Sequence, residues 1–171
     1  MTFCRLMNTI KTEQMFVKFG IGGTSSMDLI IEKTRHIHAS KKVVWKVITD
    51  PDSIRDWLGV HIETAWREES QITFSFSWDG KNLTDKGHIL KFMEPDTFSY
   101  DYWSRFSGTP DTPENYSIIA FRLFDNHDST TLVLTHRNFS TPTMYEHSDK
   151  NWEETLNKIK LLAEKVISKF N

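Results

Sequence analysis

The residues best suited to acid–base chemistry are one histidine and two tyrosines on predicted strands. His136 ends an apolar strand, and burial can tune an imidazole to the pKa that general acid–base catalysis needs. Tyr100 and Tyr102, on another predicted strand, are the tyrosines that would act with it. If these groups converge inside a pocket, the sequence predicts acid–base catalysis within that pocket. The alternative is that His136 is a polar group satisfied at a strand end.

Other reactive residues form weaker patterns. His36 and His38 lie two apart on the first predicted strand, a spacing that a zinc site can use, but no third ligand is identifiable. The carboxylates between Asp50 and Asp56 are better explained by positions at helix ends. Cys4 is the only cysteine, and the sequence has neither a G-x-S-x-G elbow nor a glycine-rich phosphate loop. We therefore predict no metal site and no cofactor, and we assign no catalytic residue.

Aromatic rings supply much of the apolar surface, with six tryptophans, twelve phenylalanines and four tyrosines. From Ile72 to Trp78, apolar and hydroxyl-bearing side chains alternate strictly, which gives one strand an aromatic face. Such rings can line a ligand cavity, where tyrosine hydroxyls orient a polar group of the ligand. They can equally pack as an ordinary core. The predicted ligand-binding residues are Trp45, Phe74, Phe76, Trp78, Tyr100, Tyr102, Phe121, His136 and Trp152.

Short strands and helices must position these rings. We expect a first strand over residues 29–38, then one short helix after Ser40 and another from Asp50-Pro51 to Gly59. Asp79-Gly80 predicts a hairpin turn. Strands that follow one another without helices between them indicate an antiparallel meander. The remaining strands are expected near residues 60–67, 72–78, 86–93, 97–103, 116–124 and 130–139.

A long C-terminal helix should cover the sheet. Its apolar residues recur at spacings of three and four from Trp152 to Phe170, and Ser148 is the expected N-cap. Residues 104–115 hold Gly108 and two prolines among polar neighbours. We expect this segment to form a loop at the mouth of the sheet, where a ligand would pass.

Composition limits the partners and the compartment. The 171 residues suit one domain, with residues 1–27 expected to be a flexible N-terminal tail and residues 28–171 a single folded unit. Lysine and arginine (21) nearly balance aspartate and glutamate (23), so we expect no nucleic acid partner. No segment approaches the roughly 18 apolar residues of a membrane span, so no membrane insertion is expected. The single cysteine favours a cytoplasmic location.

Three stretches, in this order, resemble the START-like superfamily, also called SRPBCC, helix-grip or Bet v-like. The resemblance is to its branch named for the activator of the ninety-kilodalton heat-shock protein's ATPase. The stretches are A-S-K-K-V-V-W at 39–45 with T-D-P-D-S-I at 49–54 and Trp57, G-H-I-L at 87–90 with Glu94-Pro95 and residues 98–103, and T-T-L-V-L-T-H at 130–136 with Trp152. The resemblance covers residues 28–168. It implies an α+β helix-grip fold, in which a curved seven-stranded antiparallel sheet surrounds the C-terminal helix, two short helices follow the first strand, and an internal apolar cavity remains.

Three functions are compatible with this resemblance, because its members differ in activity. The leading prediction is a module that binds a small apolar molecule, such as a lipid or a polyketide, in the internal cavity. The first alternative is a co-chaperone-like module that binds a chaperone or another protein and modulates its ATPase. We expect no additional N-terminal chaperone-binding domain, because residues 1–27 are too few to form one. The second alternative is a cyclase or hydrolase acting within the cavity.

Overall fold

The computed structural model describes residues 29–168, and the expected tail over residues 1–27 lies outside them. Within these residues, seven strands form one curved antiparallel sheet, and three α-helices accompany it. The strands are β1 Ile31–Ile37, β2 His61–Thr64, β3 Gln71–Trp78, β4 Lys81–Met93, β5 Thr97–Tyr102, β6 Ser117–Asn126 and β7 Ser129–Arg137. The helices are α1 Lys41–Thr49, α2 Pro51–Leu58 and α3 Pro142–Ser168.

The strand order is β1-β7-β6-β5-β4-β3-β2, and every neighbouring pair is antiparallel. From β2 to β7 the chain forms the predicted meander, because each strand pairs with the next one in sequence. The first strand instead pairs with the last, so α1 and α2 carry the chain from one edge of the sheet to the other. The predicted α+β helix-grip architecture is confirmed.

The two short helices begin and end where the sequence indicated. Asp50 caps α2, because its Oδ2 accepts a hydrogen bond from the backbone nitrogen of Ser53 at 2.9 Å. The helix stops at Gly59, whose φ of 82° lies in the left-handed region. At the start of α1, the Ser40 backbone oxygen accepts the first helical bond, while its side chain makes no capping bond. Trp57 ties the two helices together by donating its indole N–H to the Val47 carbonyl at 2.9 Å.

The hairpin between β3 and β4 turns at Asp79-Gly80, as predicted. Both turn residues have positive φ, 50° and 70°, which is the backbone of a two-residue hairpin loop. Trp78 therefore pairs with Lys81, and β4 begins five residues earlier than the expected Lys86. The early part of β4 is too polar to show an alternating pattern, so only the register of the turn reveals it.

The long helix α3 starts six residues before the predicted N-cap Ser148. Thr141 Oγ1 accepts a bond from the backbone nitrogen of Met144 at 3.2 Å, and Pro142 occupies the first helical position. Within residues 29–168, no helix is long and apolar enough to cross a membrane. Phe170, at the end of the predicted apolar stripe, lies outside the described residues.

Helix α3 is held against the sheet by an apolar stripe and by ion pairs. Its fully or nearly fully buried residues are Trp152, Thr155, Leu156, Ile159 and Ala163. On β1, the Lys33 ammonium lies 2.8 Å from the Asp149 carboxylate and 3.3 Å from that of Glu153. Arg35 also pairs with Glu153 and bonds Asn157. Because these charged groups are partly exposed, we attribute most of the stabilisation to the apolar contacts.

Close strand packing requires a glycine at position 87. A Cβ atom on Gly87 would lie 1.8 Å from the backbone oxygen of Asp101 on β5. Nearby, the register between β4 and β5 shifts between Ile89 and Lys91. Such an irregularity increases the local bend of a strand. The G-H-I-L stretch of the sequence therefore marks a point where two strands approach too closely for any side chain.

Candidate functional site

A partly open cavity of about 80 Å³ lies between the sheet and α3. The sheet contributes Phe74, Tyr100, Tyr102, Ile119 and His136 to its lining. Leu58, at the end of α2, contributes from one side, and α3 contributes Ser148, Asn151, Trp152 and Thr155. This volume is about half that of the roughly 150 Å³ engineered cavity that binds benzene. It suits a single ring or a short apolar group.

The sheet register brings the lining residues of the strands together. Tyr100 on β5 pairs with Ile119 on β6, and Ile119 pairs with His136 on β7. Residues directly opposite one another in antiparallel strands point to the same face, so these three side chains form one row across the sheet. Phe74 on β3 extends this surface, with its ring centroid 5.4 Å from that of Tyr100.

One face of α3 completes the cavity. Ser148, Asn151, Trp152 and Thr155 are spaced by three, one and three residues, which places them on a single helix face. Of these four residues, only Trp152 was predicted from the sequence. Ser148, Asn151 and Thr155 are polar residues that interrupt the apolar stripe of the helix. This interruption in the sequence indicates that this part of α3 borders a space rather than a closed core.

His136 is buried with one nitrogen bonded and the other free. The indole N–H of Trp152 donates to His136 Nδ1 at 3.0 Å. Since Nδ1 is the acceptor, the proton of the neutral ring resides on Nε2. That nitrogen has no hydrogen-bond partner among residues 29–168. Burial lowers the pKa of His136 from 6.5 to about 3, so the ring is neutral at pH 7.

The two tyrosines of the cavity differ in their hydrogen bonding. The Tyr102 hydroxyl donates to the Asp85 carboxylate at 2.6 Å. Within the described part of the chain, the Tyr100 hydroxyl has no hydrogen-bond partner. Burial raises the pKa of Tyr100, and burial together with the neighbouring Asp85 raises the pKa of Tyr102. Both phenols are therefore protonated at neutral pH.

Asp85 is an ionisable residue beside the site that was not predicted from the sequence. It is fully buried, and burial raises the pKa of its carboxyl group, while hydrogen bonds, chiefly that from Tyr102, oppose the shift. Asp85 pairs with Phe74 across the hairpin, so it faces the same side of the sheet. The Asp79-Gly80 turn fixes that pairing, so the signal was present in the sequence. Asp85 lies behind Tyr102 and is not part of the cavity lining.

Five of the nine predicted ligand-binding residues line the cavity: Phe74, Tyr100, Tyr102, His136 and Trp152. Phe121 instead lies inside the core, fully buried and stacked on Phe98 at 6.2 Å. Phe76 is partly exposed and its ring lies 6.4 Å from that of Phe106. Trp78 ends β3 beside the hairpin turn. Alternation along a strand identifies the inward face but not which part of it borders a cavity.

Trp45, the ninth predicted residue, lines a different feature. An open surface groove of about 420 Å³ runs beside α1 and is lined by Lys42, Trp45, Lys46, Thr49, Trp66, Phe92 and Glu94. The Trp45 ring packs 5.2 Å from Phe92, which in turn lies 5.7 Å from Trp66. This groove combines three aromatic rings with two exposed lysines, and it is separate from the cavity lining.

The segment 104–115 does not border the cavity. It forms two short 3₁₀ turns, Arg105–Ser107 and Pro113–Asn115. None of its residues is among those that line the cavity, although Tyr102, just before the segment, is. The expected passage for a ligand beside this loop stays a prediction. The half-buried lining residues are Leu58, Tyr102, Ser148 and Asn151. The less enclosed side of the cavity therefore lies where the end of α2, the first half of α3 and the end of β5 meet.

The other reactive residues are dispersed. His36 and His38 are exposed on and just after β1, and Nδ1 of His36 lies 3.1 Å from Thr131 Oγ1. Within residues 29–168, no three potential metal ligands come together. Asp50 acts as a helix cap. His136 is a poor general base, since its pKa is low and its Nδ1 lone pair already accepts a bond from Trp152.

A helix gripped by a curved antiparallel sheet defines the START-like, or SRPBCC, class of domains. A family model described as Activator of Hsp90 ATPase homolog 1-like protein matches residues 38–164. The chain belongs to this family. Membership is compatible with a ligand-binding module or with a module like the chaperone activator. No curated protein gives a significant match.

Solved structures of several bacterial proteins resemble this fold. ChR145 of Cytophaga hutchinsonii is 32% identical, with a TM-score of 0.72 over 84% of this chain and 99% of that one. CalU16 of Micromonospora echinospora is 21% identical, with a TM-score of 0.62 over 82% and 79%. The Aha1 dimer of Colwellia psychrerythraea is 22% identical, with a TM-score of 0.62 over 79% and 96%. The last two likenesses concern the fold alone.

Proposed function

We propose that this protein binds a small apolar molecule in the cavity between the sheet and α3. The observation that carries the proposal is a partly open space lined mostly by rings and aliphatic groups, with a few polar atoms among them. Binding sites for small molecules commonly have this composition. Family membership supports the proposal, because the START-like class uses the same space between sheet and helix for apolar ligands.

The size of the cavity sets the expected affinity. A single ring that buries about 100 Å² of apolar surface gains roughly 2.5 kcal/mol, and one hydrogen bond adds about 1 kcal/mol. The sum corresponds to dissociation constants near the millimolar range. A larger ligand that extends through the opening beside α2 would bind more tightly, since more of its surface leaves water. Assays must therefore reach millimolar ligand concentrations.

The experiment is a titration of ¹⁵N-labelled protein with ring-sized ketones, esters and hydrocarbons, followed by ¹H–¹⁵N spectra. We expect saturable shifts at Phe74, Ile119 and the residues around Trp152. The variant Ser148→Phe places a ring at the opening and should weaken binding at least fivefold by occlusion. The matched control is Lys150→Phe, because Lys150 is exposed on the same helix and does not line the cavity. Shifts that are absent, or equal in both variants, contradict the proposal.

A second candidate function is supported by the groove beside α1. We propose that a protein partner binds there, with the family's namesake activity on a chaperone ATPase as the activity to test. Partly exposed Trp66 and Phe92 provide apolar contacts, and Lys42 and Lys46 provide positive charge for an acidic partner surface. The groove and the cavity share no lining residue, so either function can be tested without the other.

The test measures the ATPase rate of a purified chaperone of the ninety-kilodalton class with and without this protein. Replacing Lys42 and Lys46 by glutamate should abolish any stimulation, because the charge complementarity is reversed. A double variant of Lys81 and Lys150 has the same change in charge outside the groove and should behave like the wild type. An unstimulated chaperone contradicts this candidate and leaves the cavity proposal intact.

The cytoplasmic location expected from the single cysteine stays a prediction.

A further inference from the structure

We infer that the cavity selects neutral ligands that carry a hydrogen-bond acceptor, of the ketone, ester or amide class, over hydrocarbons and over carboxylates. This inference rests on the proposed ligand-binding function and specifies its chemistry. It depends on which polar atoms of the lining are already bonded within the protein and which are not.

Two donors of the lining lack acceptors. The Tyr100 hydroxyl and the Nε2–H of His136 have no partner within residues 29–168. Both side chains are more than nine-tenths buried, with exposed fractions of 5% and 7%. His136 Nε2 is fully enclosed, whereas the Tyr100 hydroxyl is not among the fully enclosed unpaired atoms, so Tyr100 is the donor that a ligand in the cavity reaches first. A donor without an acceptor is unfavourable, and a ligand that supplies an acceptor relieves that cost. The two donors come from neighbouring positions of one row across the sheet, separated by Ile119.

The other polar groups of the sheet lining are already engaged. The proton of the Tyr102 hydroxyl is donated to Asp85 at 2.6 Å. His136 Nδ1 already accepts from Trp152 at 3.0 Å. The sheet side of the cavity is therefore an apolar surface that offers donors and needs acceptors.

The charges around the cavity disfavour an anionic ligand. Among the described residues that line it, none is a lysine or an arginine. His136 is neutral at pH 7, because burial lowers its pKa to about 3. Behind the lining, the carboxyl group of Asp85 accepts the bond from Tyr102, and it would repel an anion when ionised. A ligand carboxylate would lose its hydration without gaining a cationic partner, which is strongly unfavourable.

The experiment compares three probes of nearly the same shape at pH 7 by ¹H–¹⁵N titration. Acetophenone carries a carbonyl, α-methylstyrene replaces that oxygen by a methylene group, and benzoate carries a charge. We expect acetophenone to bind about tenfold more tightly than α-methylstyrene, which is the effect of one well-made hydrogen bond in a buried site. Benzoate should produce no saturable shift at the cavity residues.

The variant Tyr100→Phe removes only the unpaired hydroxyl. It should lower acetophenone affinity several-fold and leave α-methylstyrene unchanged. Tyr116→Phe is the matched control, since the Tyr116 hydroxyl bonds Asp111 away from the cavity. His136→Gln provides a second test, because glutamine can accept from Trp152 but presents its donor at a different position.

The outcomes separate this inference from the proposed function. If α-methylstyrene binds as tightly as acetophenone, or benzoate binds best, the cavity binds ligands but the selectivity is refuted. If Tyr100→Phe and His136→Gln both leave acetophenone affinity unchanged, the assignment of the donors is refuted. If no probe shifts the cavity residues, the proposed function fails, and this inference fails with it.

Discussion

Burial of His136 should make the fold sensitive to mild acid, and the sign of the effect follows from its two protonation equilibria. The folded protein holds the pKa of His136 at about 3, whereas an unfolded chain has the ordinary value of 6.5. Between these values the unfolded state binds a proton that the folded state does not. The free energy of unfolding therefore decreases as the pH falls through 6.5 and continues to decrease until about pH 3.

The magnitude can be worked out for a moderate pH change. Each pH unit below 6.5 removes about 1.4 kcal/mol, so the loss from pH 7 to pH 5 is about 2 kcal/mol from His136 alone. This figure holds as long as the folded pKa is well below 5. The full loss at about pH 3 would be on the order of 5 kcal/mol, a large part of the stability of a typical domain.

The assay is urea unfolding at pH 7 and pH 5, followed by tryptophan fluorescence, for the wild type and His136→Gln. The glutamine oxygen can still accept the bond from Trp152, and its amide does not titrate. We expect the pH-dependent loss of stability to be about 2 kcal/mol smaller in the variant. A constant loss of stability caused by the substitution itself cancels, because each protein is compared with itself at two pH values.

His38→Gln is the control, because the His38 side chain is exposed and only its backbone nitrogen bonds Glu164. It should show the wild-type pH dependence. The imidazole NMR signals of His136 provide a direct check and should not move between pH 7 and pH 5. Equal pH dependence in the wild type and His136→Gln, or a His136 signal that titrates near 6, would refute the reasoning.

Two further predictions concern stability and can be measured by urea unfolding at pH 7. Gly87→Ala should destabilise the fold by more than about 3 kcal/mol, because its Cβ would lie 1.8 Å from a backbone oxygen of β5. The control is Gly80→Ala, which has open space around it at positive φ and should destabilise the fold by only about 1 kcal/mol. Equal losses of stability in the two variants would contradict this account. Tyr102→Phe should lose about 1–3 kcal/mol, since it removes the bond to buried Asp85. Tyr100→Phe should lose less than about 1 kcal/mol, and a larger loss would show that its hydroxyl is bonded after all.

The hairpin of β3 and β4 shows how far local sequence signals extend. Asp79-Gly80 predicted the turn, and the turn fixes every pair of residues along the two strands. Asp85 could have been identified by following that register to Phe74. Hydrophobic alternation alone placed the start of β4 at Lys86, because the five residues after the turn are mostly polar.

The first turns of α3 show a similar limit. The periodic apolar stripe begins at Trp152, so the expected start was the nearest capping residue, Ser148. The structure begins the helix at Pro142, after a threonine that caps it. Thr141-Pro142 is itself a recognisable start signal. The apolar periodicity does not reveal this start, because the first turns of the helix carry few buried apolar residues.

The sequence by itself determined the architecture, because secondary structure and the order of elements depend on local patterns that residues carry with them. Alternation, helix periodicity, the Asp50 cap and the Asp79-Gly80 turn all indicate the same antiparallel meander with a covering helix. Only the tertiary structure decided which rings border a cavity. Phe74 and Phe121 are both inward-facing strand residues, yet Phe121 has rings of neighbouring elements on several sides, whereas Phe74 faces space left below α3. That difference depends on how closely separate elements pack, which no local pattern encodes.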